Sequence, residues 1–351
     1  MNLSNSSKHN TAEFTDTLFC FESLSGSCKK LSQPFSVQTI VFVTGTIIGI
    51  TVIGNFLVII SIAHFRQLHT PTNYLILSLT TCDLLLGLFV MPLSAAKSAQ
   101  GCWYMGEFLC KFHTSADITL STASIFHLTF ISAERYCAVY HPLTYHLLIR
   151  HISVLLMVTI SWLLPTLFGY GVIFTGLNFK GSEDFYYTHI QCIGGCAVFF
   201  SGELAVFASF TSFFIPGSIM LWIYSRIYVV VRGQVRSIEH LANQLSRSRQ
   251  QGSPTSGHCD RKGTATIAIV FGGFLICWAP FFLCLIINPF IEYSINPVLI
   301  DVLMWFGYFN STINPFIYAI RYTWFRAALK IILSGKVFHE NTSRIQLSSY
   351  E

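Results

Sequence analysis

Charge is what this sequence has least of. Only 11% of its 351 residues are Asp, Glu, Lys or Arg, against about 25% in an ordinary soluble domain. So little charge excludes a water-wetted globule, and equally a disordered chain, which is rich in charge and poor in apolar residues. Met1 to Pro34 is polar, rich in Ser and Asn, and lacks the apolar core of a cleavable signal peptide. No repeat with the period of a solenoid appears. The apolar stretches hold no His-rich cluster and no nucleophile–base set, so the sequence does not read as an enzyme.

Apolar residues fill the space. They make up 52% of the chain, with 32 Phe among them, and the mean hydropathy is +0.57. Charge vanishes altogether between Lys30 and Arg66, Arg150 and Lys180, Glu203 and Arg226, Lys262 and Glu292, and Asp301 and Arg321. Two further apolar stretches hold one acid each: Asp83 between Asn73 and Lys97, and Asp117 between Lys111 and Ala133. Each is near or above the ~20 residues that a helix needs to cross a bilayer. In lipid the backbone must satisfy itself, which favours helices. The spacing predicts an all-α membrane protein, a bundle of seven transmembrane helices.

Basic residues give the orientation. Arg66, Arg135 and Arg150 follow the first and third spans. Arg226, Arg232, Arg236, Arg247, Arg249, Arg261 and Lys262 crowd the link between the fifth and sixth. By the positive-inside rule the N-terminus is extracellular and the C-terminus cytosolic. The net charge of +5 reflects that bias and does not point to nucleic acid. The expected divisions are an extracellular N-terminus (1–35), the bundle (36–321) and a cytosolic amphipathic helix with tail (322–351). Sequons at Asn2 and Asn5 are then placed for glycosylation, and Ser237 to Asp260 reads as a polar cytosolic loop. Cys20, Cys28, Cys102, Cys110, Cys192 and Cys196 all fall outside. They suggest three disulfides, with the connectivity left open by the sequence.

Ionisable groups inside a bilayer call for a reason. Eighteen residues, about 27 Å of helix, separate Asp117 from the cytosolic Arg135. Asp117 therefore lies toward the outside, within reach of an extracellular cation, with Ser121 one turn below. Trp278, Phe281 and Phe282 on the sixth span and Trp305 and Tyr308 on the seventh offer aromatic faces to such a cation. The plainer alternative is that Asp117 bonds a Tyr or backbone group and orders the bundle. Asp83 lies deeper, with Asn55, Ser124, Asn310, Ser311 and Asn314 as candidate neighbours. Oxygen-rich surroundings suit a small hard cation or a structural polar network. His127 reads as a hydrogen-bonded core histidine.

Glu134-Arg135-Tyr136, Cys277-Trp278-Ala279-Pro280 and Asn314-Pro315-Phe316-Ile317-Tyr318 resemble the third-, sixth- and seventh-span signatures of rhodopsin-like G-protein-coupled receptors. Asn55, Asp83, Trp162 and Pro216 are similar to the anchors of the remaining spans. The run Asn310 to Phe325 resembles the seventh-span fingerprint of trace amine-associated receptors. Asp117 to Leu128, Leu177 to Gly181 and Cys192 to Cys196 are most similar to the first subtype of that family. The resemblance covers about residues 36 to 335. It departs from the family pattern at Glu134, where Asp is commoner, and at His141, where an acid is usual.

The resemblance implies a plasma-membrane receptor for small primary aromatic amines, acting through a heterotrimeric G protein, the stimulatory type that raises cyclic AMP. It implies Asp117 as the amine counter-ion, with Ile118, Ser121, Phe200, Ala208, Ser212, Trp278, Phe281, Phe282 and Tyr308 around the ligand. Glu134, Arg135, Tyr136, Tyr224, Asn314, Pro315 and Tyr318 become the cytosolic switch. Asp83, Ser124, Asn310 and Ser311 become a sodium site, with no other cofactor. The implied disulfides are Cys110–Cys196, Cys20–Cys192 and Cys28–Cys102. A receptor for a serotonin- or catecholamine-like ligand is the nearest alternative. An amine transporter would call for repeated halves or helices broken at the midplane, which the sequence lacks.

Overall fold

The computed structural model describes residues 18–33, 35–248 and 258–335, together with 343 and 347. Asn2 and Asn5 lie outside the described residues. The chain runs as α1 (Val37–His64), then α2, which is Pro71–Leu85 carried through a π turn, Leu86–Val90, into Met91–Gln100. Next come α3 (Gly106–Tyr140) and α4 (His151–Phe174). Helix α5 is Gly202–Ser209 joined by a second π turn, Phe210–Phe214, to Ile215–Ser248. It is followed by α6 (His258–Phe290), α7 (Pro297–Arg321) and the short α8 (Thr323–Leu333).

The starts are written in the sequence. Ser36 and Thr70 accept the backbone N–H of Thr39 and Asn73, each at 3.3 Å. Asn296 accepts that of Val298 at 2.9 Å. Pro71 and Pro297 stand at the helix starts behind two of these caps, where a missing N–H is harmless. The π turns precede or overlap the approach to Pro92 and Pro216, where a proline breaks the regular hydrogen-bond ladder. The polar stretch read as a loop from Ser237 is helical as far as Ser248. That stretch has no Gly or Pro to stop a helix, and several good helix formers.

Among the described residues, five helices, α1, α2, α4, α5 and α6, are long and apolar enough to cross a membrane. Helices α3 and α7 have 35 and 25 residues but carry many polar side chains, which α3 turns inward. The polarity of the whole is inside out. Phe42, Ile276 and Ile320 stand 76, 72 and 71% exposed, whereas Asn55, Asp83, Ser124, His127 and Asn314 are buried. Large apolar side chains facing outward in such numbers fit a lipid surround.

Three contacts set how closely the helices approach. A methyl group at Gly169 would lie 2.5 Å from Thr119 Oγ1, so α4 rests on the backbone of α3. One at Gly54 would lie 2.9 Å from Pro315, which locks α1 to the proline-bearing turn of α7. One at Gly307 would lie 2.6 Å from the Trp278 ring, so the indole lies against bare α7 backbone. Small residues at helix crossings allow this proximity in membranes. The central core lies between α3, α5 and α6, where Ile125, Phe213, Met220, Phe274, Trp278 and Phe282 pack together.

The disulfide-bonded cap corrects the expected disulfides. Cys110 pairs with Cys196, but Cys20 pairs with Cys102 and Cys28 with Cys192, in place of Cys20–Cys192 and Cys28–Cys102. Backbone register is the reason. Residues 18–30 fold back on themselves, with the Cys20 N–H donating to Cys28 C=O at 2.9 Å. The Cys28 N–H then donates to Ile193 C=O at 2.9 Å, and the Ile193 N–H to Gly26 C=O at 2.9 Å. This bridge seats Cys28 beside Cys192, with Cα atoms 5.1 Å apart, and leaves Cys20 facing Cys102 at 5.8 Å. Gly194, at φ +91°, lies against Cys20 so closely that a Cβ there would sit 2.7 Å from the Cys20 Cβ. Non-reducing peptide mapping should therefore recover Cys20 linked to Cys102 and Cys28 linked to Cys192. Recovery of the crossed pairs would overturn this register.

Candidate functional site

Asp117 lies on the inner face of α3 with only 6% of its surface exposed. Tyr308 of α7 donates its hydroxyl to Oδ2 at 2.8 Å, and Ser121 donates to Oδ1 at 3.2 Å. An ionised carboxylate offers about four lone-pair sites, so further acceptor capacity remains. The bonded tyrosine anticipated as the plainer reading is thus present, and it coexists with a cavity. That cavity is lined by Asp117, Ile118, Ser121, Phe200, Ala208, Ser212, Trp278, Phe281, Phe282 and Tyr308, all ten of the residues expected around a ligand.

The walls are aromatic. Phe282 stacks on Phe213 at 4.9 Å, and Trp278 meets Phe282 and Phe281 at 5.8 and 6.1 Å. Trp305 meets Tyr308 edge-on at 5.4 Å. The π turn in α5 divides its serines between two tasks. Ser209 donates back to its own helix at Ala205 C=O, 2.7 Å, while Ser212 lines the cavity. A chamber with one acid at one end and rings at the other can hold a cation joined to an aromatic group.

Behind Asp117 the polar chain continues. Ser94 lies 3.3 Å from the Tyr308 hydroxyl and 3.0 Å from His113 Nε2, on the turn of α3 above Asp117. Thr122, Phe168, Val198, Leu285 and Met304 complete the lining. Sequence reading missed these five and the Ser94–His113 extension. Phe168, Leu285 and Met304 look like any apolar span residue, and Val198 depends on where the loop after Cys196 falls.

Asp83, wholly buried, accepts hydrogen bonds from Ser124 at 3.0 Å, Ser311 at 2.7 Å and Asn314 at 2.7 Å. Asn310 is buried on the same helix but is not among its donors. Asn55 instead donates to the backbone oxygens of Thr51 and Ser311, at 2.9 and 3.2 Å. His127 Nδ1 meets Ala123 C=O at 2.7 Å, so it carries the proton and Nε2 accepts from Ser78. Trp162 donates to the same serine at 2.9 Å.

At the opposite end, Glu134 is fully buried and Arg135 donates to it from Nε at 2.7 Å. Thr72 of α2 donates to the same carboxylate at 2.7 Å, and Tyr145, in the link between α3 and α4, donates to it too. Arg135 also bonds Thr72. Burial and the bond to Glu134 hold the Tyr145 phenol above its ordinary range. Tyr136 stacks on Tyr140 at 4.4 Å, Tyr224 bonds Ser132, and Tyr318 packs with Val58, Ile62 and Ile76. Pro315 sits at the α1 crossing. The seven expected switch residues thus fall into separate groups, and Thr72 and Tyr145, which the sequence reading did not include, complete the clamp on Glu134.

The 7 transmembrane receptor (rhodopsin family) pattern matches residues 54–318. Trace amine-associated receptor 1 of Macaca mulatta is 52% identical over 330 residues, 94% of this chain and 98% of that one. The Homo sapiens protein of the same name is 49% identical over 330 residues, 94% of this chain and 97% of its own. Trace amine-associated receptor 13c of Danio rerio is 42% identical over 336 residues, 95% and 97% of the two chains.

Proposed function

The chain belongs to the trace amine-associated receptors of the rhodopsin family of seven-transmembrane receptors, and from that premise we propose that it is a receptor for small primary aromatic amines. It is a multi-pass membrane protein, and its relatives are receptors and not enzymes. In this reading all seven long helices span the plasma membrane, the N-terminus is extracellular, and α8 lies along the cytosolic face. The observation that carries the proposal is one buried carboxylate, Asp117, at the polar end of an aromatic-walled cavity.

The ammonium pairs with Asp117 and the ring enters the space bounded by Phe200, Trp278, Phe281 and Phe282. A ligand shifts a conformational equilibrium only by its differential affinity for the two states. Contact with Trp278, which rests on Gly307, links the cavity to the packing of α6 on α7. The active state releases Arg135 from Glu134 and Thr72 and opens the cytosolic ends of α5 and α6 to the G protein. Tyr224 and Tyr318 then receive the arginine. The stimulatory G protein, raising cyclic AMP, is the coupling we assign. The oxygen-rich set of Asp83, Ser124, Ser311 and Asn310 suits a sodium ion, which would favour the inactive packing.

Ligand choice follows from α5. Ala208 offers a catechol no partner, and a buried hydroxyl left unpaired costs about 1–3 kcal/mol. Phenethylamine-like ligands with no ring hydroxyl or one should therefore outperform dopamine in a panel read by cyclic AMP. Ser212→Ala should reduce tyramine potency about 5-fold or more while sparing 2-phenethylamine. Ala208→Ser should narrow the gap for dopamine. Equal losses for both amines in Ser212→Ala would mean that Ser212 acts on packing and not on the ring.

A further inference from the structure

A second acid and a base stand beside the ligand cavity. Lys97, on the last turns of α2, donates to Asp301 Oδ1 on the first turns of α7 at 3.1 Å. Both side chains are mostly withdrawn from solvent, at 18 and 15% exposure. Asp301 Oδ2 is buried with no hydrogen-bond partner, so this carboxylate depends on Lys97. Lys97, Asp301 and Asp117 line one and the same small cavity, together with His113, Tyr308 and Met304. That cavity adjoins the aromatic chamber through Asp117, Tyr308 and Met304.

The charges can be counted. Asp117 and Asp301 contribute two negative charges and Lys97 one positive, which leaves room for one ligand cation. If Asp301 were neutral, Asp117 and Lys97 would balance each other and leave none. An ammonium withdrawn from water on a flexible four-carbon stem turns to the nearest carboxylate, and within this cavity that would be Asp117.

We propose that Lys97 is a built-in competitor for Asp117 and that Asp301 holds it aside, which makes Asp301 a positioning residue for amine affinity. This rests on the reading of Asp117 as the amine's counter-ion. It explains why a largely buried ion pair bridges α2 and α7 at the mouth of a site that selects a cation. It also gives α7 a part in recognition apart from Tyr308.

The test uses the full-length chain in cell membranes, with tritiated 2-phenethylamine as the probe and surface receptor counted through an epitope tag. Asp301→Asn should weaken binding about 10- to 100-fold, because a freed cation now opposes the ligand's own. Asp301→Ser supplies a second neutral variant if the amide does not reach the surface. Adding Lys97→Met to either should restore affinity to within about 3-fold, and Lys97→Met alone should leave it there too. Rescue by removing the lysine is an outcome that lost packing cannot produce. Equal weakness in the single and double variants, or no weakness in Asp301→Asn, would overturn the proposal. Retained binding in Asp117→Asn would instead overturn the amine counter-ion itself. Loss in Asp117→Asn with none in Asp301→Asn would sink only the role given to Asp301.

Discussion

Replacing Asp117 by alanine should weaken amine potency by ~100-fold or more with the receptor still at the cell surface. Removing one partner of a desolvated ion pair costs about 3–5 kcal/mol, and every ~1.4 kcal/mol is tenfold in affinity. The partner that suffers is the ligand's ammonium, which would enter a cavity walled by Phe200, Trp278, Phe281 and Phe282 with no counter-charge. The fold should tolerate the change better than the ligand does. Tyr308 loses an acceptor but keeps Ser94 within 3.3 Å, and Ser121 can turn to its own helix. Dose–response curves at matched surface expression check this. Unchanged potency would remove the amine mechanism.

Substitutions at the Glu134 clamp should have the next largest effects, in opposite directions. Glu134 is wholly buried and takes hydrogen bonds from Arg135, Thr72 and Tyr145. Glu134→Gln removes the charge that restrains Arg135, while the amide oxygen can still accept from Thr72 and Tyr145. Because Arg135 is a third exposed, solvent screens part of the loss. A change of about 1–2 kcal/mol, roughly 5- to 30-fold in the conformational equilibrium, is the expected scale. Basal cyclic AMP should rise accordingly. Arg135→Ala should nearly abolish stimulated cyclic AMP and leave amine binding largely intact, because the clamp and the cavity lie at opposite ends of α3. Normal basal and stimulated signals in both variants would mean that these residues are not the switch.

The two ends of α3 differ in how legible they were. Asp117 and Arg135 stood out because a charge in an apolar run is costly and therefore visible. Trp278 and Tyr308 could be placed near Asp117 from their depth on spans six and seven. Thr72 and Tyr145 carried no such mark. A threonine after a helix cap and a tyrosine in a loop are ordinary residues until the folded chain brings them to Glu134, 62 and 11 positions away. Lys97 and Asp301, 204 positions apart, looked like unrelated charges at two span ends.

Composition, spacing and local caps determined the apolar helices, their inward-facing acids and the division of basic residues between the two ends. Those are sums of nearest-neighbour preferences and of transfer energies counted along one segment, so one segment suffices to read them. The tertiary structure alone decided that Cys28 joins Cys192 and Cys20 joins Cys102, that Ser212 and not Ser209 faces the cavity, and that Lys97 bonds Asp301. Each depends on the register or rotation of one segment against another. A shift of one residue changes the partners at almost no local cost, so only the docking of whole helices and loops selects among them.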